Sequence, residues 1–141
     1  MIYIFDASSI LALTREFGEK VIDFLKGNVT VSLALYEMGN VLWKECSLLK
    51  RLSVEEAVKT LDFVFSLDGV MRVLDVKSSR LGRCVLANAV KLNITYYDSV
   101  YLTVADEVKG VLVTDDTELA RASRENGVKT LGSKEFVRKF K

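Results

Sequence analysis

MIYIFDASSI, residues 1–10, sets four apolar or aromatic side chains in a row, Ile2 to Phe5, and then stops on Asp6. An unbroken run of this kind reads as a strand buried on both faces. Aspartate is disfavoured in strands and favoured at helix N-caps, so the strand ends at Asp6 and a short helix, 8–14, follows. VLVT at 111–114, followed by Asp115 and Asp116, repeats the pattern: a buried strand, an acid, then a helix over 116–126 that Gly127 stops.

The stretches between alternate in the same way. Gly18 precedes a helix near 19–26 with Val21, Ile22 and Leu25 on one face, and a strand follows at 29–31. The 33–50 segment carries Leu35, Met38, Val41, Leu42, Cys46 and Leu49 near helical spacing. Ser53 and Glu56 form a capping box that opens a helix to about Leu67. Strand 71–74, helices 77–92 and 97–107, strand 128–131 and a terminal helix from Ser133 complete the chain. Strands joined by helical crossovers predict an α/β fold, a parallel sheet covered on both faces by right-handed crossovers. Ligands in such sheets sit at the carboxyl ends of the strands, where the strand order reverses.

The chain has 141 residues, half of them hydrophobic and 28% charged, which suits one domain with a substantial core. No linker, repeat or low-complexity segment is visible, so the expected organisation is a single domain over 1–141. Net charge is +1, so nucleic-acid binding would need a local basic patch. Histidine is absent and the two cysteines, Cys46 and Cys84, form no CxxC pair. This argues against zinc sites of the Cys/His type and every mechanism with a histidine base. Both cysteines are expected as reduced, packed thiols. The start lacks the basic segment of a signal peptide and the apolar runs are short of a membrane span, so a cytoplasmic location is expected.

The acids at the element junctions carry the chemistry. Asp6 and the Asp115–Asp116 pair end two strands on one rim of the sheet. Glu37 falls in the first turn of helix 33–50, and Asp98 at the start of helix 97–107. Each alone is explained by a cap or a favourable helix dipole. Together they are not, because caps do not require acids to converge. Like charges at about 4 Å repel by roughly 1 to 4 kcal/mol per pair. A divalent cation offsets that repulsion, and an all-oxygen site suits Mg²⁺ or Mn²⁺, ions of phosphoryl chemistry. Asn40 and Lys44 lie three and seven residues after Glu37, on its helix face, placed to orient a carboxylate or meet a phosphate. Ser8 and Thr114 flank the acids and can bond to a carboxylate or cap a helix.

With these residues in view, the chain resembles the PIN-domain ribonucleases, specifically the VapC-type toxins of toxin–antitoxin pairs. Four stretches in order carry the resemblance: IYIFDASSILAL (2–13), LALYEMGNVLWK (33–44), TYYDSVYLTVA (95–105) and VLVTDDTELARAS (111–123). It implies a three-layer α/β/α sandwich around a five-stranded parallel sheet, order 3-2-1-4-5, with Asp6, Glu37 and Asp98 as the first three acids. The pattern T-x-D points to Asp116 as the fourth, with adjacent Asp115 able to substitute or assist as a metal ligand; Ser8, Asn40 and Thr114 match supporting polar positions. The resemblance also implies Mg²⁺- or Mn²⁺-dependent endonucleolytic hydrolysis of single-stranded or exposed RNA; the mechanism expected of such an acid set is in-line attack of water, leaving 5′-phosphate and 3′-hydroxyl ends. The implied partners are a cognate small antitoxin and a second copy of the chain in a homodimer.

Basic residues available to RNA are Arg15, Lys44, Lys50, Arg51, Arg80, Arg83 and Lys91. The apolar side chains of Leu61, Phe63, Val64, Phe65, Phe17 and Phe24 are expected in the core. Other readings stay open: a housekeeping PIN nuclease of ribosomal RNA maturation, or a non-catalytic RNA-binding module. A haloacid-dehalogenase-type phosphohydrolase needs D-x-D after the first strand, where this chain has Asp6-Ala7-Ser8. A receiver domain needs a paired acid and a late lysine that are not evident.

Overall fold

The computed structural model describes residues 1–140. The elements run β1 (Tyr3–Phe5), α1 (Ala7–Phe17), a 3₁₀ turn (Gly18–Lys20), α2 (Val21–Leu25), β2 (Val29–Val31), α3 (Ser32–Ser47) and α4 (Val54–Ser66). A second 3₁₀ turn (Leu67–Gly69) leads to β3 (Arg72–Leu74), α5 (Ser79–Leu92), α6 (Tyr96–Glu107), β4 (Val111–Val113), α7 (Thr117–Glu125), β5 (Thr130–Leu131) and α8 (Ser133–Phe140).

All five strands pair in parallel, in the order β3-β2-β1-β4-β5 expected from the sequence. Helices pack around the sheet as an α/β/α sandwich. Ile4 and Phe5 of β1 and Leu112 and Val113 of β4 have no exposed surface, which is why these strands read as continuous apolar runs. Ile4 pairs with Leu112 and Phe5 with Val113, so the two strands end level. The chain leaves β1 toward β2 on one side and returns to β4 on the other. The strand order therefore reverses between β1 and β4, and a crevice opens outside their carboxyl ends. Asp6 and Thr114 to Asp116 stand at that crevice. Phe136 of α8 packs edge-on against Tyr3 and Phe5, with ring centroids 5.0 Å apart in both pairs, and pins the terminal helix to the sheet.

Several details differ from the sequence reading. Helix α1 runs to Phe17 instead of ending near 14, because no breaker intervenes before Gly18, whose φ is +59°. Helix α3 ends at Ser47, so Leu49 lies beyond it and is exposed. Phe65 is also exposed, since neighbouring Val64 takes the inward position on α4; Phe17, Phe24 and Phe63 pack against the core as expected. Cys84 is exposed because α5 buries the stripe Val85, Ala89 and Leu92 and Cys84 falls outside it; Cys46 is half-buried. The capping box holds: Glu56 N–H donates to Ser53 Oγ at 3.1 Å, and Ser53 N–H to Glu56 Oε1 at 3.2 Å. Among the described residues no helix is long and apolar enough to cross a membrane.

Gly110 feeds β4 into the sheet at the tightest point of this arrangement. A Cβ there would lie 2.4 Å from Ile4 Cδ1 and 2.8 Å from the Ile2 carbonyl oxygen. The backbone oxygen cannot yield without shifting β1. Gly110→Ala is expected to destabilise the fold by about 2 kcal/mol and lower the melting temperature by about 6 °C, read by circular dichroism.

Candidate active site

Asp6 leaves β1 in an extended conformation and caps α1: its Oδ1 accepts from Ser9 N–H at 2.9 Å. Ser8 Oγ donates to both carboxylate oxygens, at 2.8 and 3.0 Å. Thr114, the first residue after β4, donates its hydroxyl to Oδ2. The same two hydroxyls accept from the backbone across the crevice: Ser8 Oγ from Asp115 N–H at 3.1 Å, Thr114 Oγ1 from Asp116 N–H at 3.0 Å. Ser9 Oγ closes the seam by donating to the Val113 carbonyl at 2.8 Å. Asp6 is 4% exposed. Burial pushes its carboxyl above the usual 3.8, and the bonds from Thr114, Ser9 and Ser8 oppose the rise.

Glu37 sits in the second turn of α3, because that helix starts at Ser32 with Val31 as its N-cap. The first-turn position read from the sequence is thus one turn early, and the helix dipole does not explain this acid. Tyr101 of α6, itself buried, donates its hydroxyl to Glu37 Oε1. Asp98 is in the first turn of α6, but it is not the cap. Thr95 caps the helix by accepting from Asp98 N–H at 3.0 Å, so the Asp98 carboxylate has no capping duty. Asp116 does cap α7, accepting from Glu118 and Leu119 N–H at 2.9 and 3.1 Å.

These acids act on one another. Burial raises the Glu37 carboxyl, the bond from Tyr101 opposes the rise, and the charges of Asp98, Asp6 and Asp116 add to it. Burial and then the charge of Asp116 raise Asp98; Asp6 adds to the rise and the Thr95 hydroxyl opposes it. Burial, followed by the charge of Glu37, pushes the Tyr101 phenol far above its usual value, so it stays a donor. Asp6, Glu37, Asp98 and Asp116 therefore form one electrostatic set. Among the described residues, no three acids close into a ready metal-ligating group.

Asp115, which the sequence leaves able to substitute or assist as a ligand, is exposed, and its Oδ1 accepts from Ser133 N–H at 2.8 Å at the start of α8. It moves none of the other site acids. Asn40 and Lys44 line one cleft with Glu37 and Tyr97, as their shared helix face predicted. Two of the proposed phosphate contacts are already paired, Arg15 with Glu45 at 2.6 Å and Arg80 with Glu107 at 2.5 Å. The sequence reading missed Ser9 and Tyr101. Tyr101 was within reach, since it follows Asp98 by three residues and so shares its helix face.

No family model matches the chain. Exonuclease VapC9 of Pyrobaculum aerophilum is 35% identical over 117 residues, 83% of this chain and 82% of the relative. Ribonuclease VapC3 of the same organism is 30% identical over 122 residues, 82% of this chain and 89% of the relative. The chain belongs to the VapC family. Among solved structures, PAE2754 from Pyrobaculum aerophilum superposes with a TM-score of 0.80 at 32% identity, over 98% of this chain and 94% of its own. VapBC-1 from nontypeable Haemophilus influenzae gives 0.61 at 14% identity, over 95% and 99%, and shares the fold.

The raised carboxyls set a pH dependence of stability. An acid whose pKa is higher in the folded state binds more protons there than in the unfolded chain. Its contribution is complete below the ordinary carboxylate range and is lost as pH rises through the raised value. In metal-free buffer, the contribution of Glu37, Asp98 and Asp6 is therefore expected to fall as pH rises from about 4 toward neutrality. Asp98→Asn should flatten that slope and match or exceed the parent in stability at pH 7, measured by urea unfolding across a pH series.

Proposed function

We propose that this VapC-family chain is a divalent-metal-dependent ribonuclease, the toxin of a VapBC-type toxin–antitoxin pair. The observation that carries the reading is the seam in which Thr114 Oγ1 donates to Asp6 and accepts from Asp116 N–H, with Glu37 and Asp98 near enough to feel the charges of both acids. Their donor set fits Mg²⁺ or Mn²⁺: carboxylate oxygens alone, with no histidine in the chain. A binding module has no use for four acids that repel one another, which disfavours the non-catalytic reading. Nothing observed favours a housekeeping role over the toxin role suggested by the VapC relatives.

Asp6, Glu37 and Asp98 would hold the metal and Asp116 would complete the site. When bound, a divalent cation lowers the pKa of water and polarises a phosphodiester for in-line attack. The chain's own groups supply position. Ser8, Ser9 and Thr114 fix the Asp6 carboxylate between two strand ends. Tyr101 occupies one oxygen of Glu37 and leaves the second for a cation or a proton. Asp116 is aimed by two backbone N–H groups of α7. The cleft beside Glu37 receives the RNA strand, with Lys44 at its edge. The antitoxin partner rests on the likeness to VapBC-1, a toxin–antitoxin complex, and an arginine is the side chain suited to an acid set of this kind. A homodimer and a cytoplasmic location belong to the same reading.

Incubation of RNA with Mg²⁺, Mn²⁺ or EDTA tests it. Cleavage is expected with either metal and not with EDTA, leaving 5′-phosphate and 3′-hydroxyl ends; 2′,3′-cyclic ends would contradict attack by water. A circular single-stranded RNA should be opened, since endonucleolytic attack needs no end. Asp6→Asn and Asp98→Asn are each expected to lose at least about 100-fold in kcat. Tyr101→Phe should lose about tenfold, because it removes only the bond that orients Glu37. Full activity in both Asn variants would refute the site.

A further inference from the structure

Tyr36 and Tyr97 are 79% and 62% exposed, unusual for side chains of this size. Each immediately precedes a site acid, Tyr36 before Glu37 on α3 and Tyr97 before Asp98 on α6. Successive residues on a helix point about 100° apart, so each acid can turn to the crevice while its tyrosine stands on the rim. Both rings line a cleft of about 740 Å³ with Glu37, Asn40 and Lys44. Both also border a second hollow of about 240 Å³ with Tyr96. Among the described residues neither ring packs against another aromatic ring.

Charge says what this rim must do. A phosphate chain approaching the acid set is repelled, and the net charge of the chain is only +1. Arg15 and Arg80 are held by Glu45 and Glu107. Among the described residues Lys44 is the one basic side chain lining the cleft, so ionic contact there is sparse, and aromatic faces hold any base without charge. We infer that Tyr36 and Tyr97 form a stacking platform for unpaired bases of single-stranded RNA, with Asn40 available to a base edge and Lys44 to a phosphate of the same strand. The inference deepens the ribonuclease reading and rests on it. Double-stranded RNA is a poor occupant, since its base faces are already covered. A protein segment is less well matched, because the amide, the lysine and Glu37 interrupt the apolar floor.

The test is fluorescence anisotropy with a short fluorescein-labelled single-stranded RNA, and with the same RNA as a duplex, in EDTA so that nothing is cut. Tyr36→Ala and Tyr97→Ala are each expected to weaken single-strand binding about tenfold and to leave duplex binding unchanged. Tyr36→Phe and Tyr97→Phe should restore it, since stacking needs the ring and not the hydroxyl. Neither alanine change should alter the salt dependence, whereas Lys44→Ala should reduce its slope by about 0.7. In the cleavage assay the alanine variants should raise KM with little change in kcat. Val90→Ala, exposed on α5, is the control, and melting curves establish that every variant folds.

The platform is refuted if Tyr36→Ala/Tyr97→Ala binds single-stranded RNA like the parent, or if the phenylalanine variants fail as badly as the alanine ones. Loss of antitoxin binding with RNA binding intact would also overturn it, and would give the cleft to the protein partner. Normal cleavage by a parent whose binding ignores the tyrosines sinks the platform alone. Tyrosine-dependent binding without cleavage by the parent in either metal sinks the ribonuclease reading alone.

Discussion

The Asp6 carboxylate is buried where β1 turns into α1, and the hydroxyls of Ser8 and Thr114 meet on it. A charge in that position is costly unless each of its oxygens is engaged. Here both oxygens accept, and the two donor hydroxyls in turn accept from Asp115 and Asp116 N–H. One side chain thus joins the first strand–helix junction to the fourth. The strands it joins are paired level in the sheet, so local bonding and sheet register enforce the same geometry. The placement of Asp116 relative to the other acids follows from this seam.

The seam solves only part of the electrostatic problem. Glu37 and Asp98 come from helices on other segments, and their carboxyls are raised by burial and by neighbouring acids. Such repulsion is a standing cost to the fold that packing elsewhere must offset. Sites that keep a destabilising arrangement generally do so for function. The Tyr101 bond to Glu37 moderates the cost without neutralising the charge, which leaves the acid available to a cation.

A single set of elements also explains how one rim can combine an acidic pit with aromatic walls. On α3 and α6 the sequence places tyrosine directly before the acid, Tyr36-Glu37 and Tyr97-Asp98. Helical rotation then sends consecutive side chains to different surroundings. Asn40 and Lys44 follow Glu37 at helical spacing and extend the same cleft along α3.

Much of this was legible in the residues. The runs ending in Asp6 and Asp115 gave two buried strands, the Ser53–Glu56 box gave a helix start, and the level pairing of those strands sets Asp6 and Asp115–Asp116 on one rim. The parallel sheet alone did not specify which strand neighbours which; the order came from the family resemblance, because strand pairing joins segments far apart in sequence. Asp115 and Asp116 were not separable in sequence because both follow β4 directly. In the fold they face different helices: Asp115 accepts from Ser133 N–H of α8, Asp116 from Glu118 and Leu119 N–H of α7. The Tyr101 bond to Glu37 spans 64 residues and likewise needs α3 and α6 side by side. The sequence by itself determined the elements and the acids at their ends, because periodicity and capping are local. The tertiary structure decided which acids share a field and which are engaged elsewhere, because those contacts exist only once distant segments have packed.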